Sequence, residues 1–502
     1  MKRIVSIILC LCMLGVFMVA CGDKEEAGAQ PKMFSVGYAQ ADISPRVSVY
    51  LRGYGDPVAE RMSTGVADPL MLNCIAFTDE EDNTILFMSL DLLLSYKAFA
   101  KPIREKVAEA TGVPFDQVML HCTHNHCGPD PGDVLYSNLV KEAAVEAATA
   151  AMADRKPATM STGFSRHDNI NFVRHYLLTD GSYMGEGVGS VPRNQLVGHT
   201  DAPDNLLQVV KFDREGGKPV VLVNWQGHPM GSSPNPHTVA NSNYPGILRQ
   251  TVEQEMDCHS LFVLGGSGNM NNSSQIREEN QYDDYIALGK ALGQKVIDTM
   301  ATLEPAETGK LHIARKDYSY TKAVTPLYAF SVGDLAFVTA PFEIFSTNAV
   351  AVRDSSQFKM TFYASCSNES HGYLATPESY SYFAYESGSN PMGVAEEVEE
   401  SLKELLGQVF TESGKAPAQW KDGYHTTEFV PVTDGVVYMN PAAGNTAAYT
   451  AVKNDFYQIQ LIADGTLKTM LTDSEDVAKQ VLAKDSMKLL FNEQNVIVGI
   501  AQ

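Results

Sequence analysis

Nowhere in these 502 residues do five basic residues run together, and the formal net charge is −22. A surface this acidic repels phosphate backbones, which excludes nucleic acid as a partner. A disulfide framework is missing as well. Of eight cysteines, Cys10 and Cys12 fall in the N-terminal leader and Cys21 directly follows it. The five that remain, Cys74, Cys122, Cys127, Cys258 and Cys366, are odd in number and widely scattered. No internal repeat or low-complexity stretch interrupts the chain. What is present is an ordinary globular composition, 44% hydrophobic and 20% charged. The length exceeds what one core of usual size serves, so one large domain and a smaller one are expected.

The N-terminus reads as an export signal. Lys2 and Arg3 precede an apolar run, Ile4 to Ala20, that is short for a membrane span and stops at "MVAC". A small residue before Cys21 and a polar tether after it resemble a bacterial lipoprotein cleavage site. The expected arrangement is a signal peptide over 1–20 and a lipidated tether over 21–33. Cys21 would anchor an exported chain to the outer face of a bacterial membrane. The competing reading is an uncleaved membrane anchor.

Beyond the tether, strand-like and helix-like segments alternate with short connections. "TILFMSLDLLL", "FDQVMLHCTHNH", "KPVVLVNWQGHP", "SLFVLGGSGN" and "DLAFVTAPFEIF" read as strands. Lys101–Gly112, Ser137–Arg155, Ala287–Leu303 and Val394–Phe410 read as helices. This pattern predicts an α/β fold, a mixed sheet with helices and with catalytic loops at strand ends, over 34–412. After the break at "TESGKAPAQWKDG", 418–502 reads as a small strand-rich domain with a hairpin around Asp464–Gly465.

The chemistry-bearing residues follow apolar strands, where ligands gather in α/β sheets. "VMLHCTHNHCGPDPGD" holds His121, His124 and His126, and an extended chain would point His124 and His126 to one face. His228 ends a second strand, the loop "GGSGNMNNSS" follows a third, and Glu343 follows a fourth. Imidazoles with one carboxylate are what zinc takes, with a position left open for water at a catalytic site. Bland readings stand beside this one. His-x-His can be a hydrogen-bonding pair, His228 can be a core residue, and Glu343 can cap a helix starting near Ile344. Cys122 and Cys127 raise thiolate ligation, but no second cysteine pair completes it.

Several ordered segments resemble the neutral, non-lysosomal ceramidases and their bacterial relatives. They are "ADISP", "LRGYGDP", "LFMSLDLL", "THNHCGPDPG", "NWQGHP", "APFEIFS" and "HGYLATPESYSYFAYES", between about Val36 and Phe410. That resemblance implies a zinc-dependent amidase acting on a lipid-like or other small substrate. It places the zinc ligands at His124, His228, Glu343 and Tyr373, the last as a phenolate. His126 falls where the family contacts the reacting centre, Tyr385 where it steadies the oxyanion, and Arg174, in "NINFVRHY", where it contacts substrate. The chain departs from the family at its nucleophilic serine. That turn reads Gly268-Asn269-Met270-Asn271-Asn272-Ser273 here, and Asn271 holds the serine's position. Cys127 is a second departure, replacing the serine after His126.

An amide cannot attack a carbonyl. The expected nucleophile is therefore water activated on zinc, with His126 moving its proton and Asn271 and Tyr385 donating to the oxyanion. Ser273 or Ser274 could serve only through a shifted loop. The alternative is a catalytically inactive surface lipoprotein that captures a lipid or glycan.

Overall fold

The apolar runs form strands buried on both faces. In Met71–Thr78, Leu72, Cys74 and Ala76 face one way and Ile75 and Phe77 the other, and all are fully buried. A strand covered on both sides needs unbroken hydrophobicity rather than alternation. The structure, a computed structural model, describes residues 33–502 except 56, 179–181, 186–194, 231–232, 275–281, 321–322, 383, 421–422, 426–429, 432–437, 440–448, 453–455, 464–465, 492–495 and 502. The expected leader, Cys21 and nearly all of the tether lie outside these residues.

A nine-stranded mixed sheet forms the centre. Its main path runs His259–Leu264, Val220–Trp225, Leu206–Arg214, Lys156–Arg166, Ser35–Asp42, Met71–Thr78, Thr84–Leu90 and Val118–Cys122. The two outermost pairs are parallel and the inner ones antiparallel. Helices cover one face. Lys97–Thr111 and Val134–Ala153 pack at one end, Asn243–Met256 and Tyr285–Met300 at the other. The opposite face packs Phe77, Phe87 and Phe212 against Tyr328, Phe330, Phe337 and Phe362 of a second, four-stranded sheet. Helix Val394–Ser413 covers that sheet's far side. The result is four layers, helix, sheet, sheet, helix.

Helix Lys97–Thr111 starts a turn earlier than its pattern predicted. Phe99 and Ala100 bury on the same side as Ile103 and Val107, and this packing carries the helix through Pro102. Near the C-terminus, Phe456–Ala463 and Thr466–Thr472 pair with Ala463 opposite Thr466, as the hairpin reading requires, although the turn itself lies outside the described residues. Among the described residues no helix is long and apolar enough to cross a membrane.

The two ends of the large sheet are tied to each other. Ser89 Oγ donates to the Phe262 carbonyl at 2.7 Å. His121, the first histidine of the cluster, bridges between the strands. Its Nδ1 is 2.7 Å from the Ser365 carbonyl, and its Nε2 accepts the Leu264 amide at 3.0 Å. His121 is thus a structural tie, and burial pushes its pKa down to about 3. By joining the sheet edges it brings the ends of three strands to one place.

Candidate metal centre

Strand Val118–Cys122 stops before the second histidine. His124 takes a left-handed backbone, φ 65°, so His124 and His126 do not meet through the extended spacing expected of them. The turn is held from outside. The amides of Thr123 and Asn125 donate to the carbonyls of Leu90 and Leu92, and Asn125 Nδ2 donates to the carbonyls of Asp91 and Asn241. A non-glycine residue in this region costs of order 1–3 kcal/mol, and such strain persists where surroundings over-determine it. Gly53 admits the turn, since a Cβ there would lie 2.5 Å from the His126 carbonyl oxygen.

The imidazoles converge all the same. His124 Nε2 lies 2.9 Å from His228 Nε2, which lies 2.9 Å from His126 Nε2. Glu343 Oε2 is 3.0 Å from His124 Nε2. His124 Nδ1 is 2.8 Å from the Leu93 carbonyl, and His228 Nδ1 is 3.1 Å from the Ser267 carbonyl. A carbonyl oxygen only accepts, so each neutral ring carries its proton on Nδ1 and presents a bare Nε2. Two bare lone pairs 2.9 Å apart repel unless a cation lies where they aim. Backbone carbonyls fixing the tautomer of outward-facing imidazoles are what metal-binding histidines use. Burial holds His126 and His228 well below the usual histidine range, which keeps them neutral. These three buried histidines can hold a metal ion. His126, expected beside the ligands, stands among them. Cys122 and Cys127 are buried free thiols outside this group.

Glu343 does not cap a helix. Glu343–Ile344 pairs in parallel with Tyr373–Leu374, and the helix Ser346–Asp354 begins later, after Phe345. This short ladder places Tyr373 against Glu343, Arg174 and Tyr385. The Glu343 carboxylate is buried, with His124 Nε2 and the Tyr373 hydroxyl beside it and the Arg174 charge near. Tyr373 is pushed well up by its own burial and by the Glu343 charge. Arg174 is no solvated surface charge. It is 1% exposed, with Nε on Glu386 at 2.9 Å and a terminal nitrogen on the Gly268 carbonyl at 2.7 Å. Its guanidinium lies 5.5 Å from the Tyr373 ring centre and 5.0 Å from that of Tyr385. Tyr385 is 43% exposed and forms the rim.

The loop that should carry a serine is stapled between these elements. Gly268 donates its amide to the Ile344 carbonyl at 2.8 Å, and a Cβ there would lie 2.5 Å from the Glu343 carbonyl oxygen. Asn269 Oδ1 accepts the Ser346 amide at 2.8 Å. Met270–Asn271 pairs with Phe172–Val173, and Asn271 is buried. The Met270 carbonyl accepts the His228 amide, so Asn271 directly follows a residue bonded to the centre.

Sequence reasoning missed the support behind these groups. Glu386 is fully buried and holds both Arg174 and, at 3.2 Å, His175 Nε2. Tyr382 completes the chain at His175 Nδ1, 2.7 Å away. The signal was there in Glu386 following Tyr385, an acid beside a predicted site residue and matched to a predicted arginine. The Leu93 and Ser267 carbonyls left no signal, because any residue supplies one.

One pH effect follows. His121, His126 and His228 are held neutral by burial, whereas in the unfolded chain a histidine titrates near 6.5. Below that value the unfolded chain binds protons that the folded one does not, so stability falls with pH. Chelator-treated protein is expected to lose up to about 1.4 kcal/mol per pH unit per histidine below about pH 6.5. Urea titrations at pH 7 and pH 5 measure this, and His121→Gln should flatten the dependence. An unchanged midpoint would refute it.

Against known proteins, no family model and no curated protein matches the chain. Solved structures do. A ceramidase complexed with C2 superposes with a TM-score of 0.62 at 14% identity, covering 86% of this chain and 84% of that one. Neutral ceramidase from Pseudomonas aeruginosa gives 0.62 at 13% identity, covering 87% and 92%. The chain has the neutral ceramidase fold. At such identity the likeness speaks for the architecture, and the site rests on its own geometry.

Proposed function

We propose that the chain is a zinc-dependent hydrolase that cleaves an amide bond, in an N-acyl substrate of ceramide-like or related chemistry. One observation carries the reading: the Nε2 atoms of His124 and His228 face each other bare, each fixed by a carbonyl on the far side of its ring. Neutral imidazoles with the Glu343 carboxylate are a donor set that zinc prefers, and Tyr373 adds a phenol beside that carboxylate. When bound, zinc supplies Lewis acidity, polarising a carbonyl and lowering the pKa of water.

The chain's own groups do the rest. His126 Nε2 lies 2.9 Å from His228 Nε2, so His126 would hold the ion with His124 and His228 and orient the attacking water, whose proton goes to the leaving nitrogen. The Asn271 amide and the Tyr385 hydroxyl donate to the oxyanion, Asn271 from a buried strand pair and Tyr385 from the rim. Arg174, neutralised by Glu386, holds the Gly268 carbonyl and backs both tyrosines. A lipid on Cys21 would keep the enzyme on the outer face of the envelope, close to lipid substrates.

Metal analysis of the purified protein and turnover on a panel of N-acyl amides test this. Asn271→Ala is expected to lower kcat by about 10²–10³ with little change in KM, the loss typical of one oxyanion donor. An unchanged kcat removes asparagine from the mechanism. Bound metal without turnover on any substrate would instead make the pocket a capture site for a lipid or glycan. Protein that binds no metal ends the reading.

A further inference from the structure

Away from the histidine cluster, a second nucleophile stands against a second base. Ser274 Oγ lies 3.2 Å from His199 Nε2, and His199 Nδ1 lies 2.5 Å from the Val173 carbonyl oxygen. That carbonyl can only accept, so the proton of neutral His199 is on Nδ1, and Nε2 accepts from the serine hydroxyl. Nucleophile, base and orienting acceptor thus stand in the order an activated serine needs. Leu196–His199 pairs with His175–Leu178, and the His199 ring stacks on Phe172 at 5.5 Å and leans on Tyr176 at 5.0 Å. Its orientation is therefore set by a strand, two aromatic rings and a hydrogen bond. Ser274 is 4% exposed, while His199 is part-exposed.

We propose that Ser274 and His199 form a second nucleophilic centre, a serine–histidine dyad that hydrolyses small esters without a metal ion. This goes beyond the zinc-centred reading and does not depend on it. In the first step the Oγ–acyl carbon bond forms and the ester carbon–oxygen bond breaks. The hydroxyl proton passes to His199 Nε2 and then to the leaving alkoxide. Water next attacks the acyl-serine, its proton passes through Nε2 to Oγ, and a carboxylic acid leaves. Ester and water give acid and alcohol, with no redox change. No shift of the loop is required, because the hydrogen bond is already made.

The test uses full-length protein freed of metal by a chelator and treated with a fluorophosphonate, which forms a phosphorus–Oγ bond as fluoride leaves. Peptide mapping should place the label on Ser274. Ser274→Ala should abolish labelling, and His199→Gln should slow it by about 10²-fold, the lower range of general-base assistance. Thermal melts of both variants check folding. Ser274→Cys, which keeps the contact, should be alkylated by iodoacetamide faster with His199 present than in the His199→Gln background. Absence of label, a label elsewhere, or equal rates with and without His199 would overturn the proposal. Since metal is removed throughout, failure of the zinc reading leaves this result untouched, and the reverse holds too.

Discussion

Replacing His228 with asparagine is expected to abolish metal binding at the candidate centre while leaving the fold in place. The asparagine amide nitrogen sits near where the imidazole Nδ1 does, so it can still donate to the Ser267 carbonyl that Nδ1 meets at 3.1 Å. What disappears is Nε2, the atom 2.9 Å from both His124 and His126. Zinc content should fall to background, and turnover of an N-acyl amide should drop by about 10³–10⁴, the several kcal/mol a metal contributes to a polarised carbonyl. His228→Ala should do the same with an added loss of stability from the cavity. Metal analysis, steady-state rates and melts in chelator separate these effects. If His228→Asn keeps its zinc and its rate, the histidines are a core cluster and no metal centre exists.

Much of this site was legible as strand ends. Apolar runs ending in His228, Gly268 and Glu343 are strands ending there, or a few residues earlier, because a chain leaving a doubly buried strand must emerge at its end. The path of the "THNH" turn was not legible. Its hydrophobic lead-in predicts a strand, but the strand halts at Cys122 and His124 turns left-handed. That conformation is imposed by Leu90, Leu92 and Asn241, which accept bonds from the turn and are remote in sequence. His121 shows the converse. It shares a motif with two metal-competent histidines yet ties sheet edges together, because inward and outward faces alternate before the strand stops. Ser274 was visible as a residue, but only as a serine in the wrong place. Its partner His199 lies 75 positions away, and nothing local announces the pair.

The support under His124 leads to the other large effect. Asp91 and Arg249 form a buried two-pronged ion pair at 2.9 and 2.5 Å, and the same carboxylate accepts the Met71 amide at 2.9 Å. Asp91 begins the segment whose Leu93 carbonyl orients the His124 ring, and its own carbonyl holds Asn125. Asp91→Ala leaves a fully buried guanidinium without its partner and should cost about 3–5 kcal/mol, a large share of the 5–15 kcal/mol that usually holds a domain together. Replacing both members, Asp91→Leu with Arg249→Met, removes the uncompensated charge and should restore most of that loss. It should not restore the metal site. Without the carboxylate, the Asp91 amide on the Met71 carbonyl is the tie to Met71 that remains, the Leu90–Leu93 segment fixes the Leu93 carbonyl less firmly, and zinc affinity should stay about 10–100-fold weaker, as when the partner behind a histidine ligand is lost. Urea titration reads the first quantity and zinc competition with a chelator the second. Recovery of both in the double variant would mean that the ion pair merely fills the core. Recovery of stability alone would mean that a charge pair costly to bury is retained because it aims His124.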